Sequence, residues 1–163
     1  MARKRKNRFS SQKSQKQKSS FLIKDPFSGD FLFVYPFKRE FDDEDWIYTW
    51  IEIKAGAFQA KYKATLYIPD FRYFRKQLDL LHQGLSEKAT YSAMEEWLEI
   101  EIVKKKDGCL EASCKAGDRP GALGTLNFDL EFHPSLIPKI IQSLDYTLKV
   151  FPEIDFRRTK PDG

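Results

Sequence analysis

The chain has 163 residues and a mass of 19.2 kDa, which suits one domain with a sizeable core and leaves too little for two. Its hydrophobic fraction of 41% and aromatic fraction of 15% exclude a collagen-like or wholly disordered chain. The formal charge of +4 is unevenly spread, because residues 1–20 hold eight Lys or Arg and no acid. Subtracting these eight from the 28 basic side chains leaves 20 against 24 acids, so a basic arm precedes a mildly acidic body.

The start of the chain does not read as a targeting signal, since no apolar segment of about 7–15 residues follows the basic residues. The longest early apolar run, residues 31–35, is far shorter than the roughly 20 residues that cross a membrane. Cys109 and Cys114 lack the spacing of CxxC metal or redox motifs and fit a reducing compartment. We therefore expect a cytoplasmic protein.

The arm, residues 1–20, is rich in Lys, Gln and Ser and is predicted to be disordered, because it buries too little apolar surface to offset the entropy of ordering. One interpretation is a phosphate-seeking arm that adds sequence-independent affinity for RNA or DNA; the other is a solvated extension. In the first interpretation the nucleic-acid contacts, together with two lysines of the body, are Arg3, Lys4, Arg5, Lys6, Arg8, Lys61 and Lys63.

Two hairpins are predicted directly after the arm, from strand-like runs at residues 21–25 and 31–37, and then at 46–54 and 57–68. A two-residue turn at Ala55-Gly56 fixes the register of the second hairpin. That register gives one apolar face, and an opposite face on which Trp50 pairs with Lys61 and Tyr48 with Lys63.

A third hairpin is predicted between residues 97–105 and 109–115. A three-residue loop with Gly108 in the left-handed conformation pairs Ile102 with Ala112, whereas a two-residue turn would break the apolar face. Residues 126–132 then alternate strictly between apolar and polar side chains, as in a half-buried strand.

Two amphipathic helices interrupt the strands, over about residues 69–84 and 135–150, with Ser135 as the predicted cap of the second. Their apolar stripes are Phe71, Phe74, Leu78, Leu81 and Leu85 in the first, and Ile137, Ile141, Leu144, Leu148 and Phe151 in the second. The predicted fold is α+β, with an antiparallel sheet of about seven or eight strands and both helices packed on it. It forms one domain over residues 21–152, followed by a short tail over residues 153–163.

The sequence predicts no enzyme, metal site or cofactor. His82 and His133 are isolated from any nucleophile or carboxylate motif and are interpreted as solvent-facing or structural. No cluster of His, Cys or carboxylates has metal-ligand spacing. The glycine-rich segment at residues 118–124 lacks the Gly-Lys-Ser/Thr cradle for phosphates and reads as a loop between strands.

Two acidic surfaces are predicted as binding sites for a basic protein. Five of the six residues from Glu40 to Asp45 are acidic, and such packed charges need solvent or a basic partner. The second surface follows from strand alternation, which points Glu99, Glu101, Glu111, Asp129 and Glu131 outward. It would attract a basic protein mainly by raising the association rate; the alternative is an ordinary solvated sheet face.

The outer face of the second hairpin differs, since aromatic side chains are interleaved with lysines. Its members are Trp46, Tyr48, Trp50, Lys54, Lys61, Lys63 and Tyr67. This pattern fits a stacking platform for single-stranded nucleic acid, and fits equally well cross-strand cation–π packing or the seat of a helix.

Short segments between about residues 42 and 152 resemble a family of small bacterial proteins, the WapI-type immunity proteins. The matching residues are Asp45-Trp46, Lys54 to Phe58, Asp70-Phe71 with Phe74, Leu78 and Leu81, Glu96 to Leu98, Asp107-Gly108, Asp118 with Pro120-Gly121, Leu136 to Pro138, and Phe151-Pro152. The resemblance lies in their order and spacing.

The resemblance implies a non-catalytic cytoplasmic protein that binds the toxic domain of a bacterial toxin and blocks it. The expected contacts are the acidic residues Asp42, Asp43, Glu44, Asp45, Glu99, Glu101, Asp129 and Glu131. The alternatives are a nucleic-acid- or ribosome-associated accessory protein that uses the basic arm, and a structural domain.

Overall fold

The computed structural model describes residues 13, 14, 16, 18–121 and 124–154. In these residues the chain forms two four-stranded antiparallel sheets, and each sheet is followed in the chain by a helix. The predicted α+β class with antiparallel strands and two helices is confirmed. The strands are divided between two sheets, because the first helix separates them into two sets of four.

The first sheet is a simple meander in which each strand pairs with the next one along the chain. Its strands are β1 (Phe21–Lys24), β2 (Phe31–Arg39), β3 (Trp46–Ala55) and β4 (Phe58–Tyr67). Alternate side chains such as Ile23, Leu32 and Ile51 are fully buried, so one face belongs to the core and the other faces outward.

The hairpin between β3 and β4 turns at Gly56-Ala57, one residue later than predicted. Gly56 has a φ of +60° and takes the first turn position, which favours glycine in tight hairpins. Trp50 therefore pairs with Lys63 instead of Lys61. Because the register moves by two residues, every side chain keeps its predicted face.

The second sheet is also a meander, and its central register agrees with the prediction. Its strands are β5 (Lys88–Ser92), β6 (Leu98–Lys104), β7 (Leu110–Ala116) and β8 (Leu126–Phe132). Ile102 pairs with Ala112, and Gly108 has a φ of +88°, as the three-residue loop required. Strand β5 was not among the predicted segments.

The helices are α1 (Ile68–His82) and α2 (Ile137–Val150). Leu85 lies beyond the end of α1 and is 72% exposed, so its assignment to the apolar stripe was wrong. The chain turns away at Gly84, whose φ is +73°. The cap predicted at Ser135 is instead His133, whose ring accepts a hydrogen bond from the Ser135 N–H at the start of a 3-10 turn.

The inner faces of both sheets and the buried faces of both helices enclose one hydrophobic core. Each fully buried Leu, Ile or Phe in it contributes about 1.5–3 kcal/mol of burial free energy. The sheets are also linked at their edges: Asp25 accepts a hydrogen bond from the Glu131 N–H (3.1 Å), and the Tyr62 hydroxyl donates to the Trp97 carbonyl (2.8 Å). The two outer faces are therefore left as the extended surfaces on which partners can bind.

Helices α1 and α2 contain 15 and 14 residues. In the part of the chain that the structure describes, no helix is long and apolar enough to cross a membrane.

Candidate functional site

The outer face of the second sheet is strongly acidic, and we call it the acidic face. Strand pairing places five carboxylates on it against two lysines, Lys88 and Lys115. The five are those predicted by alternation: Glu99, Glu101, Glu111, Asp129 and Glu131. The structure therefore brings four of the predicted contact residues together on one surface, with Glu111 as a fifth.

Lysines offset part of this charge. The Lys88 ammonium lies 2.7 Å from Glu101, and the Lys105 ammonium lies 2.9 Å from Glu131. The hydrogen bond to Glu131 raises the pKa of Lys105. Both pairs are partly exposed, and surface pairs of this kind contribute little to stability because solvent screens them. A competing cation from a partner can thus replace these lysines at little cost.

The acidic face is concave at one end, where a depression of about 470 Å³ is open to solvent. Three carboxylates reach into it, those of Glu99, Glu101 and Asp129. Thr90, Ser92, Ser113 and Asn127 add hydroxyl and amide groups to the lining. Cys114, Phe128 and one cation, Lys115, complete it, so the carboxylates outnumber the cation by three to one. This combination of charge and hydrogen-bond acceptors suits the cationic end of an inserted Lys or Arg side chain.

The segment from Glu40 to Asp45, here called the acidic loop, joins β2 to β3. Asp42, Asp43 and Glu44 are exposed on it. Asp45 is only 5% exposed, and its carboxylate is held by the Arg39 guanidinium (3.1 Å) and the Ile154 N–H (2.9 Å). The side chain of Asp45 is therefore an internal anchor and is not accessible to a partner as the sequence predicted.

The anchoring of the acidic loop extends beyond this ion pair. Arg39 also donates to the Glu44 carbonyl at 2.7 Å and to the carbonyl of Pro152. The run of acidic residues in the sequence predicted only that this loop lies at the surface. The sequence signal for its anchor was Arg39, which lies at the end of a strand and six residues before Asp45.

The outer face of the first sheet carries aromatic rings and lysines, and we call it the aromatic-lysine face. Seven rings lie at outward positions of β2 and β3, namely Phe31, Phe33, Tyr35, Phe37, Trp46, Tyr48 and Trp50. The Phe37 ring centroid lies 5.9–6.3 Å from those of Tyr35, Tyr48 and Trp50. The predicted hairpin residues are thus joined by aromatic side chains of β2, whose alternation with Leu32, Val34 and Pro36 was the available sequence signal.

Cation–π contacts connect the lysines of β4 to these rings. The Lys61 ammonium lies 5.6 Å from the Trp50 ring centroid, and the Lys63 ammonium lies 4.4 Å from that of Tyr48. Lys61 also pairs with Glu52 at 2.9 Å. Of the three interpretations that the sequence left open, cross-strand cation–π packing is present.

A β-bulge at Phe37 increases the number of outward side chains. Pairing between β2 and β3 passes from Pro36 with Thr49 to Lys38 with Tyr48, so Phe37 has no partner of its own. Phe37 and Lys38 consequently both belong to the outer face. The alternation then resumes one residue out of phase, which turns Arg39 towards Asp45.

The end of the predicted arm touches the same face. The described residues at positions 13, 14, 16, 18 and 19 are helical. The Lys16 ammonium lies 5.5 Å and 5.8 Å from the ring centroids of Phe33 and Tyr35. Ser19 is buried, and its carbonyl accepts a hydrogen bond from Thr147. The nucleic-acid contacts predicted in the arm, Arg3, Lys4, Arg5, Lys6 and Arg8, lie outside the described residues.

One group of metal-ligating side chains lies close together in the described part of the chain, namely Asp107, Cys109 and Glu131. Their ligand atoms fall within 4.8 Å of one another. The Lys105 ammonium, however, is hydrogen-bonded to Glu131, so a fixed positive charge already occupies the neighbourhood. Burial also raises the pKa of the Cys109 thiol, which disfavours the thiolate that a metal needs.

A buried polar group lies where α1 meets the second sheet. Asp70, in the first turn of α1, has one carboxylate oxygen without a hydrogen-bond partner, and the Tyr91 hydroxyl is in the same situation. Burial raises the pKa of Asp70 to about 6. Burial and the nearby Asp70 both raise the pKa of Tyr91. These groups are enclosed by the core, and we assign them an effect on stability.

Comparison with known proteins gives one family and one structural likeness. No curated protein matches the chain. A crystal structure of MRP1/MRP2 from Trypanosoma brucei shares the fold, with a TM-score of 0.51 at 13% identity over 88% of this chain and 94% of the other. The model of the immunity protein WapI-like family matches residues 22–152, which include both sheets and both helices apart from the first residue of β1. The chain therefore belongs to the immunity protein WapI-like family.

Proposed function

We propose that this protein neutralises a bacterial toxin by binding its toxic domain through the acidic face. The observation that carries the proposal is the depression on that face, where Glu99, Glu101 and Asp129 converge. Family membership supports a toxin as the partner. The carboxylates favour a toxic domain with a basic surface, such as a nuclease whose own substrate is a polyanion.

The expected mode of inhibition is occlusion. A basic side chain of the toxin enters the depression, displaces Lys88 from Glu101, and pairs with carboxylates whose backbone positions are fixed by strand pairing. Because the strands are already paired, binding has to order side chains and not the backbone. The chain then acts by covering the toxin's surface, and no catalytic step is part of the proposal.

The exposed acids of the acidic loop, Asp42, Asp43 and Glu44, are a secondary candidate surface. Long-range attraction from both acidic surfaces would accelerate encounter with a basic protein. The acidic face has a depression that can hold a side chain, so we assign it the contacts that slow dissociation. The two contributions are separable, because association depends on salt and dissociation from a close-packed contact depends on it much less.

The test needs a candidate toxic domain, to be sought in the genes that neighbour that of this protein. In the triple variant Glu99→Gln, Glu101→Gln, Asp129→Asn, we expect association at low salt to slow about tenfold and dissociation to accelerate. The control is the triple variant Asp42→Asn, Asp43→Asn, Glu44→Gln, which removes the same charge from the acidic loop. It should slow association without changing dissociation.

A protection assay in cells provides the functional readout. Cells that express the toxic domain should survive with the parent chain and lose protection with the acidic-face variant. If the acidic-face variant protects fully and binds with unchanged kinetics, the acidic face is not the toxin site. Loss of protection in the acidic-loop variant alone would transfer the assignment to that loop.

A further inference from the structure

We propose that the aromatic-lysine face is a second binding site, separate from the acidic face, and that its ligand is single-stranded nucleic acid. The first observation is charge. At outward strand positions the first sheet has five lysines and one carboxylate, Glu52, whereas the second sheet has the opposite balance. The five lysines are Lys24, Lys38, Lys54, Lys61 and Lys63. The two outer faces of one domain therefore attract partners of opposite sign.

The second observation is the arrangement of the rings. Phe37 stacks on Trp50 with an interplanar angle of 17° and on Tyr48 with an angle of 27°, and Trp50 is 36% exposed. Monomeric proteins rarely leave a contiguous group of large rings at the surface without a partner for it. Unpaired bases stack on such rings irrespective of sequence, while lysines beside the rings contact the phosphates.

Lysine ammonium groups already lie over four of these rings, in the positions that a partner would have to share. Lys16 lies over Phe33 and Tyr35, Lys61 over Trp50, and Lys63 over Tyr48. Exposed cation–π contacts contribute only about 0.5–1 kcal/mol, so a base can displace the ammonium from the ring while a phosphate keeps it nearby. A duplex offers no such exchange, since its base faces are stacked inside the helix.

The third observation is where the basic arm joins the body. Lys16 contacts Phe33 and Tyr35, and the preceding segment of residues 1–12 holds five basic side chains and no acid. Lys16 thus places the described end of the arm on the aromatic-lysine face. The five basic side chains that precede it in the sequence add sequence-independent affinity for phosphates, which falls steeply with salt.

The test measures binding of fluorescein-labelled U20 and dT20 to the full-length protein by fluorescence polarisation at several salt concentrations. We expect both single strands to bind and a 20-base-pair duplex to bind more weakly. Trp50→Leu should weaken binding about tenfold or more, given the ~1–3 kcal/mol that base stacking on a ring contributes. Trp50→Phe should restore most of the affinity.

The matched charge controls are two double variants. Lys61→Ser with Lys63→Ser should lower the salt dependence by about 1.4 in the slope of log K against log salt, at roughly 0.7 per lost phosphate contact. Lys88→Ser with Lys115→Ser removes equal charge from the acidic face and should leave oligonucleotide binding unchanged. Thermal unfolding of each variant verifies that it is folded.

Three results would overturn the proposal. Equal affinity for duplex and single strand would indicate charge attraction alone. Unaltered binding by Trp50→Leu, with loss of binding when Arg3, Lys4, Arg5, Lys6 and Arg8 are replaced by Gln, would assign the affinity to the arm. Weaker binding of a protein partner by the Trp50 variant, without any oligonucleotide binding, would make the face a protein-docking surface. None of these results bears on the toxin-binding proposal, which concerns the other sheet.

Discussion

Asp45 shows at the scale of one residue how an acidic run can contain both surface and interior groups. Its neighbours Asp42 and Asp43 are exposed, whereas Asp45 lies between Arg39 and the N–H of Ile154. A second backbone contact, from the Ile68 N–H to the Asp45 carbonyl at 2.8 Å, joins the residue to the start of α1. Four acids in a row therefore differ in role because of what surrounds each one.

We predict that Asp45→Asn destabilises the fold by about 3 kcal/mol. The substitution removes the carboxylate charge, so the Arg39 guanidinium stays buried without its ionic partner. Urea unfolding at neutral pH measures this change. The control Asp43→Asn removes the same charge from an exposed position and should change the free energy of unfolding by less than about 0.5 kcal/mol. Equal, small effects in both variants would show that Asp45 is not an anchor.

Asp70 gives stability a defined pH dependence. The pKa of its carboxyl is about 6 in the folded chain against an ordinary value of 3.8, since burial disfavours the charge. The folded state therefore holds an extra proton between these values. The stabilisation that the bound proton gives to the folded state is complete below about pH 3.8 and is lost as the pH rises to about 6.

Asp70→Asn should remove this contribution, since the amide remains neutral at every pH and can still accept the Met94 N–H. At pH 7 we expect the variant to be more stable than the parent by about 1–2 kcal/mol, and at pH 4 to be nearly equal to it. Denaturant midpoints between pH 4 and pH 7 test this. A constant difference across that range would contradict the assignment to Asp70.

At the scale of elements, the hairpins show where sequence reasoning succeeded. The β6–β7 register was predicted in full, because only a three-residue loop kept Ile100 and Ile102 on the apolar face. The β3–β4 register was displaced, because apolar and polar residues alternate equally well after a shift of two. Periodicity determined which side chains share a face of the sheet. The position of the turn determined which residues pair across the two strands.

Elements with weak local signals were missed or misjudged. Strand β5 has five residues and follows a helix end, so its Ala89 and Tyr91 gave too short an alternation to recognise. The division into two sheets depends on how the core closes, which no local pattern records. Of the candidate site, the acidic face was predicted from alternation, whereas its concavity and the bulge at Phe37 arise from tertiary geometry.

We predict that the loop glycine Gly108 contributes through its backbone alone. Its φ is +88°, and a Cβ added there would meet no atom within 4 Å. Gly108→Ala should therefore cost about 1 kcal/mol of stability from backbone strain, without steric conflict. Gly124 is a matched control, because its surroundings are equally open and its φ is outside the left-handed region. Equal effects of the two substitutions on the thermal midpoint would refute the strain argument.

At the scale of the whole molecule, the two sheet-and-helix halves form a single body. Their inner faces share one core, and Tyr62 links β4 to the segment that leads into β6 by ring stacking on Trp97 and by a hydrogen bond to its carbonyl. The outer faces are consequently held in a fixed relation to each other. A partner that binds one outer face therefore meets a protein in which the outer face of the other sheet is already folded.

We therefore predict a single cooperative unfolding transition. Circular dichroism and tryptophan fluorescence should give coincident curves, because no half can lose its core without exposing that of the other. Tyr62→Phe removes the hydroxyl bonded to Trp97 and should lower stability by about 1 kcal/mol while the curves remain coincident. Separate transitions for the two probes would mean that the halves fold independently.

The bulge at Phe37 has a consequence for how this surface can change during evolution. Substitutions in β2 alter one ring or one charge at a time and leave the strand in phase. Loss of a single residue at the bulge would restore continuous pairing and leave Arg39 directed towards Asp45, but it would remove one outward side chain. The length of β2 can thus change by one residue at this point and alter the outer face without altering the anchor of the acidic loop.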